Sequence, residues 1–282
     1  MNELKKQPIS VVVCVKNEEK RIENCLKSIQ NNNVDEIILV DGNSKDRTIE
    51  IAKKFTDKIY ISKKNSLTAD RQIGIDKAKN DYIAMIDADH ILRENDINGL
   101  LNDINKFNFD IVQSQLTSYD KNNFFNIAEE EAWQINHNYS GSRKMIGTAP
   151  ALYRKKIFDH IRFDEKITSK MDDTDFYYRL SKNKNFKYGV GDTKIIQYHF
   201  PSLLSYIKKF LWYGYGDAEF IRKYPFKLFT IVYHQLIRYV IIYPTISIFK
   251  LKWKAAIFFM ITGVFRFLGM FNYFFLNAKN TK

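Results

Sequence analysis

The first ninety residues are punctuated by uninterrupted apolar runs rather than by alternating ones. Ile9 to Val15 is almost purely β-branched, and Glu36 to Val40 and Tyr82 to Ile86 repeat the pattern. Runs of this length, bounded by turn residues, predict strands buried on both faces, as in a parallel sheet covered by helices. Between them the period changes. Ile22, Leu26 and Ile29 recur at helical spacing after Lys16-Asn17-Glu18-Glu19; Ile49, Ile51, Ala52 and Phe55 predict a second helix, and Thr68 to Lys79 a third. A short strand is expected at Lys58 to Ser62. This alternation predicts an α/β fold with a mostly parallel, Rossmann-like sheet flanked by helices.

Beyond residue 90 the pattern is mixed. It predicts a helix near Ile97 to Phe107, strands at Ile111 to Gln115 and Ala151-Leu152-Tyr153, and a helical segment at Phe125 to Trp133. A helix is expected from Asp172 to Lys182, with strands around Lys187 and Ile195. From Ser202 the chain reads as helical and aromatic. Ala255 to Leu276 has transmembrane length and is broken by one charge, Arg266. The expected organisation is a catalytic domain over 1–216 and a helical, membrane-associating region over 217–282.

Charge sharpens that division. The 282 residues hold 44 Lys+Arg against 32 Asp+Glu, a net +12. Residues 200–282 alone hold 12 against 2, so +10 of the +12 lies there and the front is nearly neutral. A basic, apolar tail suits nucleic acid or an anionic membrane surface. The long apolar runs favour the membrane, and no nucleic-acid partner is expected. Thr230, His234 and Arg238, with Thr245 near the same face, make one polar stripe; Thr262, Arg266, Gly269 and Tyr273 make another. Such stripes suit helices lying in the interface. A spanning hairpin would instead carry Lys250-Leu251-Lys252-Trp253-Lys254 to the far side, against the positive-inside tendency. In-plane or shallow insertion is therefore expected, with core helices of a soluble domain as the plain alternative.

Cys14 and Cys25 fit no metal spacing and are expected to pack as small hydrophobes. Met1 to Pro8 is polar and lacks the apolar region of a secretory leader, so the catalytic part is expected at the cytoplasmic face of the cell membrane.

Candidate chemistry begins at Asp87-Ala88-Asp89, directly after a predicted strand. Open α/β sheets bind ligands at the carboxyl ends of their strands. Two hard oxygen ligands one residue apart suit Mg²⁺ or Mn²⁺, which also takes oxygens from a diphosphate. An Asp-x-Asp can equally be a solvated loop end. Asp41 closes the second strand in turn chemistry, where capping alone would account for it. Asp172-Asp173-Thr174-Asp175 opens a helix, and carboxylates in a first turn are favoured by the dipole whether or not they catalyse.

Five motifs in this order resemble those of the inverting glycosyltransferases of family 2, which have the GT-A fold. They are Val11 to Glu19, Glu36 to Thr48, Ala69-Asp70-Arg71-Gln72-Ile73-Gly74, Asp87-Ala88-Asp89, and Asp172 to Phe176; the similarity covers about residues 8–216. The resemblance implies that Asp41 accepts a hydrogen bond from the nucleotide base and that Glu18 flanks the nucleoside. Arg71 would approach the diphosphate, where a rigid guanidinium fork matches phosphate oxygens. Asp87 would lie near the ribose and the metal, with Asp89 the direct ligand. Asp173 would be the base, taking a proton from the acceptor hydroxyl. His199, followed by Tyr213-Gly214-Tyr215-Gly216, would supply a further metal ligand.

This chain departs from the family pattern in carrying Asp172 where Glu is usual, and Ile161-Arg162 where a glycine pair is usual. The implied function is a membrane-associated transferase. It would move a sugar from a nucleotide-diphosphate donor, a UDP-sugar being commonest among relatives, to a lipid-linked or cell-surface glycan acceptor. Two other classes compete. A sugar nucleotidyltransferase wants a glycine-rich triphosphate loop after the first strand, where Lys16-Asn17-Glu18-Glu19 has no glycine. A non-catalytic membrane adaptor keeping the fold would be separated by its failure to turn over a donor. No Gly-x-Gly-x-x-Gly follows any strand, which disfavours a nicotinamide dehydrogenase.

Overall fold

The computed structural model describes residues 7–280 apart from 33, 65, 168–170, 184 and 201, and the side chains of 277–280 are not included. Residues 1–6 of the polar Met1 to Pro8 segment and Pro201 of the His199 motif therefore lie outside the described residues. The chain divides into two compact units: 1–115, 140–168 and 176–197 form the first, and 116–139, 169–175 and 198–282 the second.

The first unit is built on the predicted apolar runs. β1 (Ile9–Val15) is buried along its whole length and pairs in parallel with β2 (Glu36–Asp41) and β4 (Tyr82–Asp87), while β3 (Ile59–Ile61) extends β2 in parallel. Alternation along β1 splits its side chains between two cores. Val11, Val13 and Val15 pack with Ile22, Leu26 and Ile29 of α1 (Ile22–Gln30) and with Leu100 and Ile104 of α4 (Asp96–Phe107). Val12 and Cys14 face the other way, with Ile75 of α3 (Leu67–Lys77) and Phe176 and Tyr177 of α6 (Asp172–Leu180). Each such fully buried side chain contributes about 1.5–3 kcal/mol. α3 lies flush on the sheet because Gly74 has no Cβ: one placed there would come 2.3 Å from Val12 Cγ1. The short α2 (Thr48–Ala52) completes the front half.

Past β4 the parallel pattern ends. β8 (Ala151–Arg154) pairs antiparallel with β4 and with β6 (Ile111–Ser118), and with β5 at His90–Ile91 and β9 at Tyr188–Gln197 the sheet order is β3-β2-β1-β4-β8-β6-β9-β5. The sheet is thus mixed, parallel in its front half only. The strands expected around Lys187 and Ile195 are one, β9 (Tyr188–Gln197). Its polar middle reads as a break, but Asp103 of α4 accepts from the Asp192 and Thr193 amides at 3.0 and 2.9 Å and satisfies them. Two short strands the pattern does not reveal, β5 (His90–Ile91) and β7 (Gly141–Ser142), pair with opposite ends of β9.

The second unit is helical: α5 (Phe124–Asn136), α7 (Leu203–Lys223), α8 (Leu228–Val232), a π-helical stretch Tyr233–Ile242, α9 (Tyr243–Phe249) and α10 (Trp253–Asn280). α7 runs through residue 216 without a break. Its core gathers Ala128, Ala132, Tyr206, Phe210, Ala255 and Phe259. α7 and α10 approach backbone to backbone, since a Cβ on Gly214 would lie 2.1 Å from the Arg266 carbonyl and one on Gly269 the same distance from that of Leu211.

Of the α10 stripe of Thr262, Arg266, Gly269 and Tyr273, the last three face α7, while Thr262 is buried and donates to the Phe258 carbonyl of its own helix at 2.8 Å. Arg266 makes a bidentate pair with buried Asp217 at 2.9 and 2.7 Å, Gln235 donates to the same carboxylate at 2.7 Å, and Tyr273 accepts from Arg222 at 3.0 Å. Among the described residues, one helix, Trp253–Leu276, is long and apolar enough to cross a membrane.

Candidate active site

In the first unit the chain delivers chemistry at the ends of β1, β2 and β4. β4 closes at Asp87, Ala88 and Asp89 form the turn, and β5 docks onto β9 through His90 opposite Gln197. One ligand atom from each of Asp87, Asp89 and His90 lies within 4.8 Å of the others. Buried Arg71 holds Asp87, its Nη2 3.2 Å from Oδ1, while Gln197 Nε2 donates to Asp89 Oδ2 at 3.1 Å. Both carboxylates remain partly exposed, 34% and 24% at the side chain, so a ligand can reach them. Beneath them Cys25 donates to the Asp87 carbonyl at 3.6 Å. Burial raises the Cys25 thiol pKa, and the Asp89, Asp87 and Glu18 carboxylates raise it further, so their fields meet on one sulfur.

The donor set fits a hard divalent cation. It is two oxygen ligands on a rigid strand end, next to a guanidinium that can take phosphate oxygens.

Asp41 is fully buried at the end of β2, where it holds the following loop by accepting from the Ser44 amide at 2.8 Å and from the Ser44 hydroxyl. That loop is laced to the one after β1: Asn17 donates its amide to Ser44 Oγ, Lys45 donates its amide to Asn17 Oδ1, and Glu18 donates its amide to Thr48 Oγ1, all at 2.8 Å. Asn17 and Asn43 sit at φ 56° and 67°, a left-handed conformation that asparagine tolerates. Glu18 also starts α1, its carbonyl accepting the amides of Arg21 and Ile22.

Asp173 and His199 belong to the second unit. Asp172 and Asp173 open α6. Burial and then the neighbouring Asp172 carboxylate push the Asp173 carboxyl up to about 7, against hydrogen bonds from the Thr174 amide and hydroxyl and the charge of Arg266. The helix start is clamped by Asp175, which accepts from Lys223 Nζ at 2.5 Å and Tyr224 Oη at 3.0 Å.

His199, offered by the resemblance as a further metal ligand, has both ring nitrogens engaged: Nδ1 lies 2.7 Å from Glu129 Oε2 and Nε2 contacts the Ser118 hydroxyl. Trp133 stacks on its ring at 5.3 Å. Burial opposes the charge on Glu129, but Lys209, His199 and the Tyr206 hydroxyl at 2.6 Å outweigh it and hold the carboxyl down at about 2.

The structure therefore gathers Asp87 and Asp89 with Arg71 in the first unit, and places Asp173 and His199 in the second. Sequence reasoning passed over His90 and Gln197. His90 is visible in hindsight as the residue after Asp87-Ala88-Asp89; Gln197 has no local signal.

Comparison with known proteins shows the family and the fold. The family described as "Glycosyl transferase family 2" matches residues 10–163. The chain is 31% identical over 121 residues to the "Cholesterol galactosyltransferase" of Borreliella burgdorferi, covering 40% of this chain and 34% of the relative. It is 29% identical over 189 residues to "Glycosyltransferase GlyG" of Streptococcus pneumoniae, covering 57% and 63%. Less than two thirds of either relative is thus spanned. Among solved structures, S. aureus TarS 1-349 superposes with a TM-score of 0.55 at 16% identity, covering 76% of this chain and 66% of that one, a likeness of fold. The same TarS fragment has been solved with UDP-GlcNAc, with a TM-score of 0.54 at 16% identity, covering 76% and 67%.

Proposed function

Because the chain belongs to glycosyl transferase family 2, we propose that it moves a sugar from a UDP-sugar to a lipid-linked or cell-surface glycan acceptor, at the cytoplasmic face of the membrane. The observation that carries the reading is the Asp87 and Asp89 pair with buried Arg71 at the end of β4. UDP as the nucleotide is supported by the TarS fragment solved with UDP-GlcNAc. Asp41 and Glu18 serve the base and nucleoside, and Arg71 and Asp87 the diphosphate and ribose. Asp89 and Asp87 would hold Mn²⁺ or Mg²⁺; when bound, the ion supplies positive charge to the leaving diphosphate.

Asp173 acts as the base. Its carboxylate takes the proton of the acceptor hydroxyl as that oxygen bonds to the anomeric carbon. The bond from that carbon to the diphosphate oxygen breaks on the opposite face, so the anomeric configuration inverts. A base poised near 7 balances the fraction deprotonated against proton affinity. The membrane-associating region is 217–282, where exposed Phe229, Phe249 and Leu251 and the lysines at 250, 252 and 254 meet anionic lipid.

The test is transfer from UDP-sugars by the full chain on vesicles holding candidate acceptors. Asp89→Ala and Asp173→Asn are each expected to lower kcat by ~100-fold or more while leaving the melting transition in place. Wild-type turnover in either variant would refute the role given to that residue.

A further inference from the structure

The turn that carries Asp89 is closed by His90. The imidazole is buried, and its Nδ1 accepts the backbone N–H of Asp87 at 3.0 Å. A neutral imidazole has one N–H and one lone pair. With Nδ1 accepting, the proton belongs on Nε2, and that nitrogen lies 3.8 Å from Asp89 Oδ1. The main chain of His90 is meanwhile fixed opposite Gln197 in the sheet, and Gln197 donates to the other oxygen of Asp89 at 3.1 Å. Asp89 is therefore flanked by two N–H groups from residues that share one rung of the ladder.

We propose that His90 is a positioning residue for Asp89 and not a metal ligand, although it stands in the same cluster. This rests on the metal-assisted reading above. Ligation through Nε2 requires the lone pair there and the proton on Nδ1. Two N–H groups, those of Nδ1 and Asp87, would then face each other in a buried turn. Ligation through Nδ1 would take the acceptor away from the Asp87 amide. In both cases the ion would gain a nitrogen by undoing the turn that presents its oxygen ligands. The donor set His90 leaves is all oxygen, which suits hard cations. Residues that orient ligands from behind typically govern metal affinity by ~10–100-fold.

Asparagine separates the two roles, because its Oδ1 can accept the Asp87 amide as Nδ1 does but offers nothing at the Nε2 position. The experiment is a Mn²⁺ titration of the full chain in the presence of UDP, read as free ion by electron paramagnetic resonance. Electron-spin-echo modulation of the bound ion detects any coordinated nitrogen, and circular dichroism melting shows that each variant folds. His90→Asn is expected to bind Mn²⁺ as tightly as wild type with an unchanged nitrogen signal, and His90→Ala to bind ~10–100-fold more weakly. A nitrogen signal present in wild type and lost in His90→Asn would overturn the inference. So would His90→Ala binding at wild-type strength, or a folded His90→Asn that no longer holds the ion. A wild-type protein that binds no Mn²⁺ would instead bring down the metal reading itself, and this inference with it.

Discussion

The two units place their polar groups differently. In the first, apolar runs close in sequence fill two layers against one sheet, Asp41 and Asp87 stand at strand ends, and the buried Asp103 and Arg71 serve the sheet and the site beside it. In the second, Asp217, Arg266, Gln235, Glu129 and His199 are inside, and large apolar side chains are outside: Phe229 is 85% exposed, Phe249 84% and Leu251 89%. Scattered apolar residues are normal on a protein surface, but a concentration of this kind beside buried ion pairs is not. The second uses long-range ion pairs to fix helices that carry large apolar side chains outward, and the membrane association proposed above rests on that outward face.

Breaking an interior pair should therefore have the largest effect, and in the second unit. All three tryptophans, Trp133, Trp212 and Trp253, lie in that unit, so their fluorescence isolates its unfolding. Asp217→Leu strands the Arg266 guanidinium and should cost about 3–5 kcal/mol in tryptophan-detected urea unfolding, whereas Asp217→Leu with Arg266→Met should recover most of that loss. A single variant within error of wild type would show that the pair does not hold α7 to α10.

The outward face is tested next. Burying a Phe or Leu side chain is worth about 1.5–3 kcal/mol. Phe249→Ser and Leu251→Ser should each weaken co-sedimentation with anionic vesicles by ~10–100-fold, and added salt should weaken it further by screening the lysines. Undiminished vesicle binding in both variants would contradict the membrane reading and return these helices to the role of a soluble core.

The same contrast explains what could be read in the sequence. β1, β2, β4 and α1 are legible because their partners follow the same local period, and Asp87 and Asp89 are legible because one strand end carries both. β9 reads as two strands because its polar middle is satisfied by Asp103, whose position relative to residues 192 and 193 only the fold supplies. The stripe through Arg266 reads as surface for the same reason: Asp217 is 49 residues away. Glu129 has no local signal, since Ser118, His199, Tyr206 and Lys209 reach its network from scattered positions. Ion pairs and helix–helix crossings are set by tertiary contacts, and the second unit is made of them.

The smallest effect expected is a displacement in pH. The Asp173 carboxyl stands at about 7 because of burial and then the Asp172 carboxylate. Raised from the model-compound 3.8, it favours the native state most below pH about 4, and that contribution is lost as pH rises to about 7. Activity runs the other way, since a base works only when deprotonated, so kcat/KM should climb to a plateau above pH about 7. Asp172→Asn removes the second cause and keeps the first. The ascending limb should then move to lower pH by up to about one unit, worth ~1.4 kcal/mol, with the plateau rate retained. The shift distinguishes a titrating base from a structural carboxylate. If Asp173 only caps α6, the substitution would change stability and leave the midpoint of the profile where it was.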